Sequence, residues 1–187
     1  MKQAELIQSM SAKEIRKALY MSQLLFFIVS IILSYFLFNH ISDWTTFFKL
    51  DIQQIVYFGI IPAVIIVLFE IILYKFVPKQ HFDDGGINKK VFKNQTIPHI
   101  FLIAFIVAIS EELLFRGVIQ TTFGYVFASS LFAVIHYRYL RKPLLFILIV
   151  LISFLIGYLF EKTGNLFVTI VFHFIVDFLL GIYIRKT

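Results

Sequence analysis

Cysteine is absent from the 187-residue chain, which removes disulfides, thiolate metal sites and cysteine nucleophiles in one step. Charge is scarce too: Asp, Glu, Lys and Arg make up 15% of the residues, against roughly a quarter in an ordinary soluble domain. Internal repeats and low-complexity tracts are also missing. Any catalysis must therefore run on carboxylates, imidazoles or hydroxyls.

Apolar surface, in contrast, is abundant. Hydrophobic residues account for 60% of the chain, with 24 Phe, and mean hydropathy is +0.89. A soluble core of this size could not hide so much, whereas acyl chains require no hiding. Lipid is the expected solvent, and a single membrane domain over residues 1–187 fits the length. A net charge of +6 and a pI of about 9.5 would raise nucleic acid as a partner for a soluble protein. Here the basic residues fall between apolar runs, so topology accounts for them and no nucleic-acid partner is expected.

Runs of roughly 17 to 25 apolar residues signal membrane-spanning helices. They occur near residues 20–38, 55–77, 99–121, 125–140, 143–160 and 165–184, predicting an all-α, polytopic transmembrane bundle of about six helices. Residues 1–19 mix Leu6, Ile7, Ile15 and Leu19 with charges, a pattern that suits either a short amphipathic helix on the membrane surface or a frayed tail. Lys13, Arg16 and Lys17 precede the first run as in a signal peptide. That run is of full spanning length and lacks a small-residue cleavage pattern after it, so a retained anchor is expected. Segment 78–98 carries Asp83, Asp84, Gly85 and Gly86 and then Lys89, Lys90 and Lys93, which marks an aqueous loop.

The basic residues test this parse, because a wrong helix count would scramble their alternation. One side collects Lys2, Lys13, Arg16 and Lys17, the five lysines between 75 and 93, Arg138, Arg141 and Lys142, and Arg185 with Lys186. The other side holds only Lys49 and Lys162, and Arg116 lies inside a helix. A multi-pass protein of the cell membrane with both termini in the cytoplasm is predicted.

Ionisable side chains at membrane depth cost a few kcal/mol each, so a cluster of them needs a reason. The third apolar run contains Ser110-Glu111-Glu112-Leu113-Leu114-Phe115-Arg116-Gly117. Glu112 and Arg116 are four apart with the acid first, the favoured helical orientation for an ion pair. Glu111 is turned about 100° from its neighbour and stays outside that pair. Adjacent carboxylates resist ionising together, which suits one of them to accept a proton from water. The competing reading is a buried pair that only fixes helix packing.

The fourth run ends in Phe132-Ala133-Val134-Ile135-His136, and the sixth contains His173-Phe174-Ile175-Val176-Asp177. His173 and Asp177 share a helical face, so the carboxylate can orient the imidazole and set its tautomer. His136, taken alone, fits an interfacial histidine beside the basic loop equally well. Depth ties the groups together: Glu111 and Glu112 lie about 17 Å, and His136 about 19 Å, from the turn at Phe123. His173 and Asp177 lie about 12 and 18 Å from Asn165, where the last run begins on the same side. Other polar residues are weaker candidates. Glu70 suits snorkelling or packing, His40, His81 and His99 fall in or beside loops, Ser110 and Ser129 lack a neighbouring base, and Asn165 reads as a helix cap.

These residues resemble the CPBP group of intramembrane proteases, which includes the type II CAAX prenyl endopeptidases and bacterial Abi relatives linked to bacteriocin processing and self-immunity. The likeness rests on Glu111-Glu112-x-x-x-Arg116, Phe132-x-x-x-His136 and His173-x-x-x-Asp177, in order, within residues 98–180. It implies an intramembrane endopeptidase acting on a membrane-associated peptide or protein. By position, Glu111 would activate water with His136 assisting, and His173 and residue 177 would line the oxyanion site. Glu112 and Arg116 would support them. Where prenyl proteases similar to one another have Asn, this chain has Asp177, and an ionised carboxylate would repel an oxyanion. Asp177 is therefore expected to orient His173 or to join a metal site. The resemblance implies either a glutamate-dependent enzyme or a metallo-endopeptidase with zinc, since Glu and His are competent zinc ligands. Two other classes share the buried cluster: a non-catalytic membrane scaffold or bacteriocin self-immunity protein, and a small transporter.

Overall fold

Helices form where the backbone can satisfy itself within lipid, and four of the long helices here open with a side-chain cap, while the one from Pro143 opens on proline instead. In a computed structural model of the chain, residues 9–136, 139 and 142–187 are described. Ser11 closes a capping box with Glu14: its Oγ accepts from the Glu14 amide at 3.2 Å and its own amide donates to Glu14 Oε2 at 2.7 Å. From it runs α1 (Ala12–Leu37), about 39 Å of helix against a hydrocarbon core of about 30 Å. The predicted surface helix is thus continuous with the first span from Ala12 onward. Leu6, Ile7 and Lys2 lie outside the described residues, as do Arg138 and Arg141.

Asp51 caps α2 (Ile52–Phe76). Its turns widen to π-helical form over Ile55–Ile60, just before Pro62, whose missing N–H leaves a carbonyl one turn back without its usual partner. A short α3 (Ile87–Phe92) follows, buried through Ile87 and Val91, so the predicted aqueous loop is partly docked onto the bundle. Thr96 caps α4 (Ile97–Phe123), which is π-helical from Leu113 to Gln120. After the turn at Gly124 come α5 (Tyr125–Ile135), α6 (Pro143–Thr163) and α7 (Leu166–Lys186). Asn165 does cap α7: its Oδ1 accepts from the Phe167 amide at 3.1 Å, and its Nδ2 donates to the Lys49 carbonyl at 2.7 Å.

Among the described residues, five helices, α1, α2, α4, α6 and α7, are long and apolar enough to cross a membrane. The predicted span over 125–140 is different. Its helix stops at Ile135 after 11 residues, about 16 Å, which is half a crossing. The stop is local: the His136 amide turns back to the Ala133 carbonyl and its ring to the Phe132 carbonyl, closing the helix at mid-depth.

α4 and α7 pack against each other at the centre, with α1 and α5 on α4 and with α2 and α6 on α7. Half of the most apolar window of α4 is buried, against 17% for α1, so α4 is the axis and α1 a flank facing lipid. Small residues allow the close crossings that lipid-embedded helices depend on. A Cβ on Gly157 of α6 would come within 2.5 Å of Ser129 Oγ on α5. Ser153 Oγ in turn donates to the Ser129 carbonyl at 2.8 Å.

The two ends of the bundle sort as the basic residues predict. Lys90 Nζ donates to the Met10 carbonyl, Arg16 to the Lys90 carbonyl, and Arg185 Nε to the Gln95 carbonyl. The start of α1, the segment before α4 and the end of α7 therefore share one basic end. Lys49 meets Asn165 at the opposite end, where Trp44 packs on Gly117 and Phe47 on Phe160.

Candidate active site

Successive residues on a helix point about 100° apart, and the two glutamates of α4 use that angle to serve different surroundings. Glu112 faces the packed centre and is fully buried. Its Oε1 accepts from His173 Nδ1 of α7 at 2.8 Å and lies 3.4 Å from Arg116 Nη1. The Thr169 side chain stands beside the same carboxylate. Arg116 is equally buried: its Nη2 donates to the Ser153 carbonyl of α6 at 3.0 Å, and its guanidinium sits 4.6 Å over the Phe132 ring of α5. One ion pair thereby touches α4, α5, α6 and α7. The widened turns begin at Leu113, immediately after the glutamates, a distortion that recurs at functional sites.

Glu111 turns the other way. Its Oε1 accepts from Gln23 Nε2 of α1 at 3.0 Å, and Gln23 Oε1 accepts from Ser110 Oγ at 2.8 Å. The residue is 5% exposed, and it lines a cavity of about 570 Å³, within the usual size of a ligand pocket. His136, His173, Asp177, Gln23 and Glu70 line the same cavity. Apolar side chains of α1, α3, α4, α6 and α7 form most of the wall, and the cavity reaches the basic end at Met10, Asn88 and Ile184.

His136 closes α5, with Nδ1 2.8 Å from the Phe132 carbonyl. A carbonyl only accepts, so Nδ1 carries the proton and Nε2 is the basic nitrogen of the neutral ring. His173 has a carboxylate at each nitrogen: Glu112 Oε1 at Nδ1, and Asp177 Oδ2 3.6 Å from Nε2. Asp177 was the expected orienting group. The shorter contact belongs to Glu112, across 61 residues of sequence, and Asp177 flanks the ring from the cavity side, its side chain 33% exposed.

Of the six residues singled out from sequence, Glu111, His136, His173 and Asp177 line the cavity, while Glu112 and Arg116 lie behind it in the packed interior. Of the two roles expected for Glu70, its burial fits packing and not snorkelling; it also lines the cavity and has no hydrogen bond or ion pair among the described residues. Gln23 was overlooked, although a lone amide in the middle of the first apolar run was the available signal. Ser110 and Ser129 bond to Gln23 and to the Ser153 carbonyl respectively, as structural hydroxyls do. His99 bonds Tyr20 and Gln95 at the basic end.

Zinc needs three or four converging donors. Among the described residues, no three His, Asp or Glu side chains stand together as such a set, and His173 already directs Nδ1 at Glu112. The cluster fits a carboxylate and imidazole site better than a zinc site.

Comparison with known proteins agrees with the motifs. A family model described as Rce1-like, type II CAAX prenyl endopeptidase, matches residues 93–179, the stretch that holds all seven motif residues. The Bacillus subtilis protein YpbD, itself uncharacterized, is 42% identical over 165 residues, covering 88% of this chain and 87% of its own length. No solved structure matches.

Proposed function

Since this chain belongs to the Rce1-like family of type II CAAX prenyl endopeptidase-like membrane proteases, we propose that it hydrolyses a peptide bond in a membrane-associated peptide or protein with water activated by Glu111. The observation that carries the proposal is the position of Glu111. Its carboxylate lies in a spanning helix, is held by Gln23, and shares a cavity with His136 and His173. A charged acid in lipid without such a use would be a standing cost to the fold.

In this reading Glu111 takes the proton of the attacking water, and the basic Nε2 of His136 assists. The water oxygen bonds to the substrate carbonyl carbon, and the carbonyl oxygen becomes an oxyanion. In its imidazolium form, His173 keeps Nδ1–H on Glu112 and presents Nε2–H as the donor that an oxyanion needs. Asp177, lacking a donor when ionised, orients that nitrogen rather than meeting the oxyanion. The proton held by Glu111 then passes to the leaving nitrogen as the peptide bond breaks. Glu112 and Arg116 act from behind, by holding His173 and four helices in register. The chemistry is glutamate-dependent, consistent with the donor arrangement.

The basic end would face the cytoplasm by the positive-inside rule, together with both termini and the mouth of the cavity. The test is a comparison of membrane proteomes from cells carrying wild-type protein and the Glu111→Ala variant. At least one peptide end should vanish in the variant while the protein remains inserted. Identical peptide ends in both would overturn the proposal and favour a non-catalytic scaffold.

A further inference from the structure

Between α2 and α4 the chain returns across the basic end of the bundle, and the middle of that return is α3. A six-residue helix is too short to hold itself together in water, so its form depends on what it docks against. The docking is three-sided. Ile87 and Val91, both buried, pack in one cluster with Ile15 of α1 and with Ile103 and Val107 of α4. Phe92 seats against α7 at Gly181, where an added Cβ would stand 2.9 Å from the ring. Ile87, Asn88, Val91 and Phe92, one face of the helix, line the cavity that holds Glu111, and Lys89 on the other face is exposed. The helix thus lies over the cavity at its basic end, reaching from α1 to α7.

The joints on either side of α3 are of a different kind. Gly85 and Gly86 both have φ of 79°, and an added Cβ at either would meet nothing within 4 Å, so backbone freedom and not close packing accounts for the pair. Asn94, two residues past α3, is the one non-glycine residue with positive φ among the described residues. Among the ties of α3 to the amino-terminal end are two hydrogen bonds: Arg16 Nη1 donates to the Lys90 carbonyl at 3.1 Å, and Lys90 Nζ to the Met10 carbonyl at 2.9 Å. A short helix between two such joints, apolar toward a cavity and basic away from it, has the build of an element that opens locally. We propose that α3 is a lid, hinged at Gly85-Gly86 and at Asn94, which admits substrate to Glu111 from the basic end. That the admitted molecule is a substrate rests on the protease reading; the motion does not. The docked position is the closed one, with Phe92 in the Gly181 notch as its latch, and it shields the Glu111 carboxylate from bulk water between turnovers.

The test reads entry to the cavity without asking for cleavage. A water-soluble carbodiimide and an added amine are applied to the full-length protein in detergent, and coupling at the Glu111 carboxyl is followed by mass spectrometry. Its rate tracks the population of the open form. Phe92→Ala removes the latch and should raise that rate roughly tenfold or more, while coupling at Glu161, exposed at the opposite end, stays unchanged. Gly86→Ala puts a Cβ at positive φ in the closed position and should raise the rate as well. A lock should do the reverse. Arg16→Cys and Lys90→Cys supply the only two thiols in the chain, and joining them with a reducible bifunctional reagent should slow coupling at Glu111 roughly tenfold until the link is reduced. The lock decides the matter even if Phe92→Ala or Gly86→Ala fails to fold. Coupling at Glu111 that ignores the lock, or no coupling there in any form, would overturn the lid and leave α3 a fixed plug. A lock that governs coupling, alongside membrane proteomes unchanged by Glu111→Ala, would keep the lid and end the protease reading.

Discussion

Nδ1 of His173 stands 2.8 Å from Oε1 of Glu112, and that oxygen also receives the Arg116 guanidinium at 3.4 Å. The cavity histidine is thus anchored to the same carboxylate that binds α4 to its neighbours. The geometry of the proposed site and the packing of the helices share one atom, so substitutions here are expected to separate into those that unfold the bundle and those that silence the site.

Glu112→Gln should belong to the first kind. It strands a buried guanidinium, a loss of about 3 to 5 kcal/mol by comparison with broken buried pairs. Thermal unfolding in detergent should show a clear fall in midpoint. Combining it with Arg116→Met should recover part of the loss, because no charge is then left unpaired. A double variant as unstable as the sum of its singles would show that the pair is not the seat of the effect.

Gln23→Leu should be of the second kind. It removes the Gln23 amide that donates to Glu111 but keeps the volume of the side chain, and Ser110 retains the Ile106 carbonyl. Cleavage should drop about tenfold or more, with the unfolding midpoint nearly unchanged. An unaltered rate would mean that Glu111 is positioned by something other than α1.

Gly117→Ala tests the opposite end of the bundle. An added Cβ would lie 2.6 Å from the Trp44 ring, so the indole must leave its seat against α4. Trp44 is the single tryptophan, which makes intrinsic fluorescence a direct reporter, and the emission should shift to the red as the ring meets water. An unchanged spectrum would place Trp44 away from Gly117 in the folded protein.

Metal dependence is checked with purified protein. Proteolysis should persist after exhaustive chelation, and added zinc should not raise it. Activity lost on chelation and restored by zinc would replace the glutamate mechanism with a metal-assisted one.

Much of this was readable along the chain because hydropathy reports transfer into lipid, a property that each residue carries with it. The five full spans coincide with predicted runs, and the basic residues sort to the predicted ends. The half-length α5 was only partly readable. The sequence turns basic soon after Ile135, with Arg138, Arg141 and Lys142, but the turn of the His136 amide and ring back onto Ala133 and Phe132 was hidden. The meeting of Glu112 with His173 was likewise hidden, since helical spacing reveals partners three or four residues apart and says nothing about a partner 61 residues away.

Local chemistry along the chain was enough to decide the solvent, the helical class, the pairing of Glu112 with Arg116, and which side chains could carry hydrolysis. Each of these depends on residue type or on neighbours within a turn. Packing alone decided that Glu111 faces a cavity while Glu112 is buried behind it, that Gln23 reaches Glu111 from α1, and that Glu70 and Asp177 confront one space. Those relations arise between helices distant in sequence, where rotation about each helix axis is set by the surfaces it must fit.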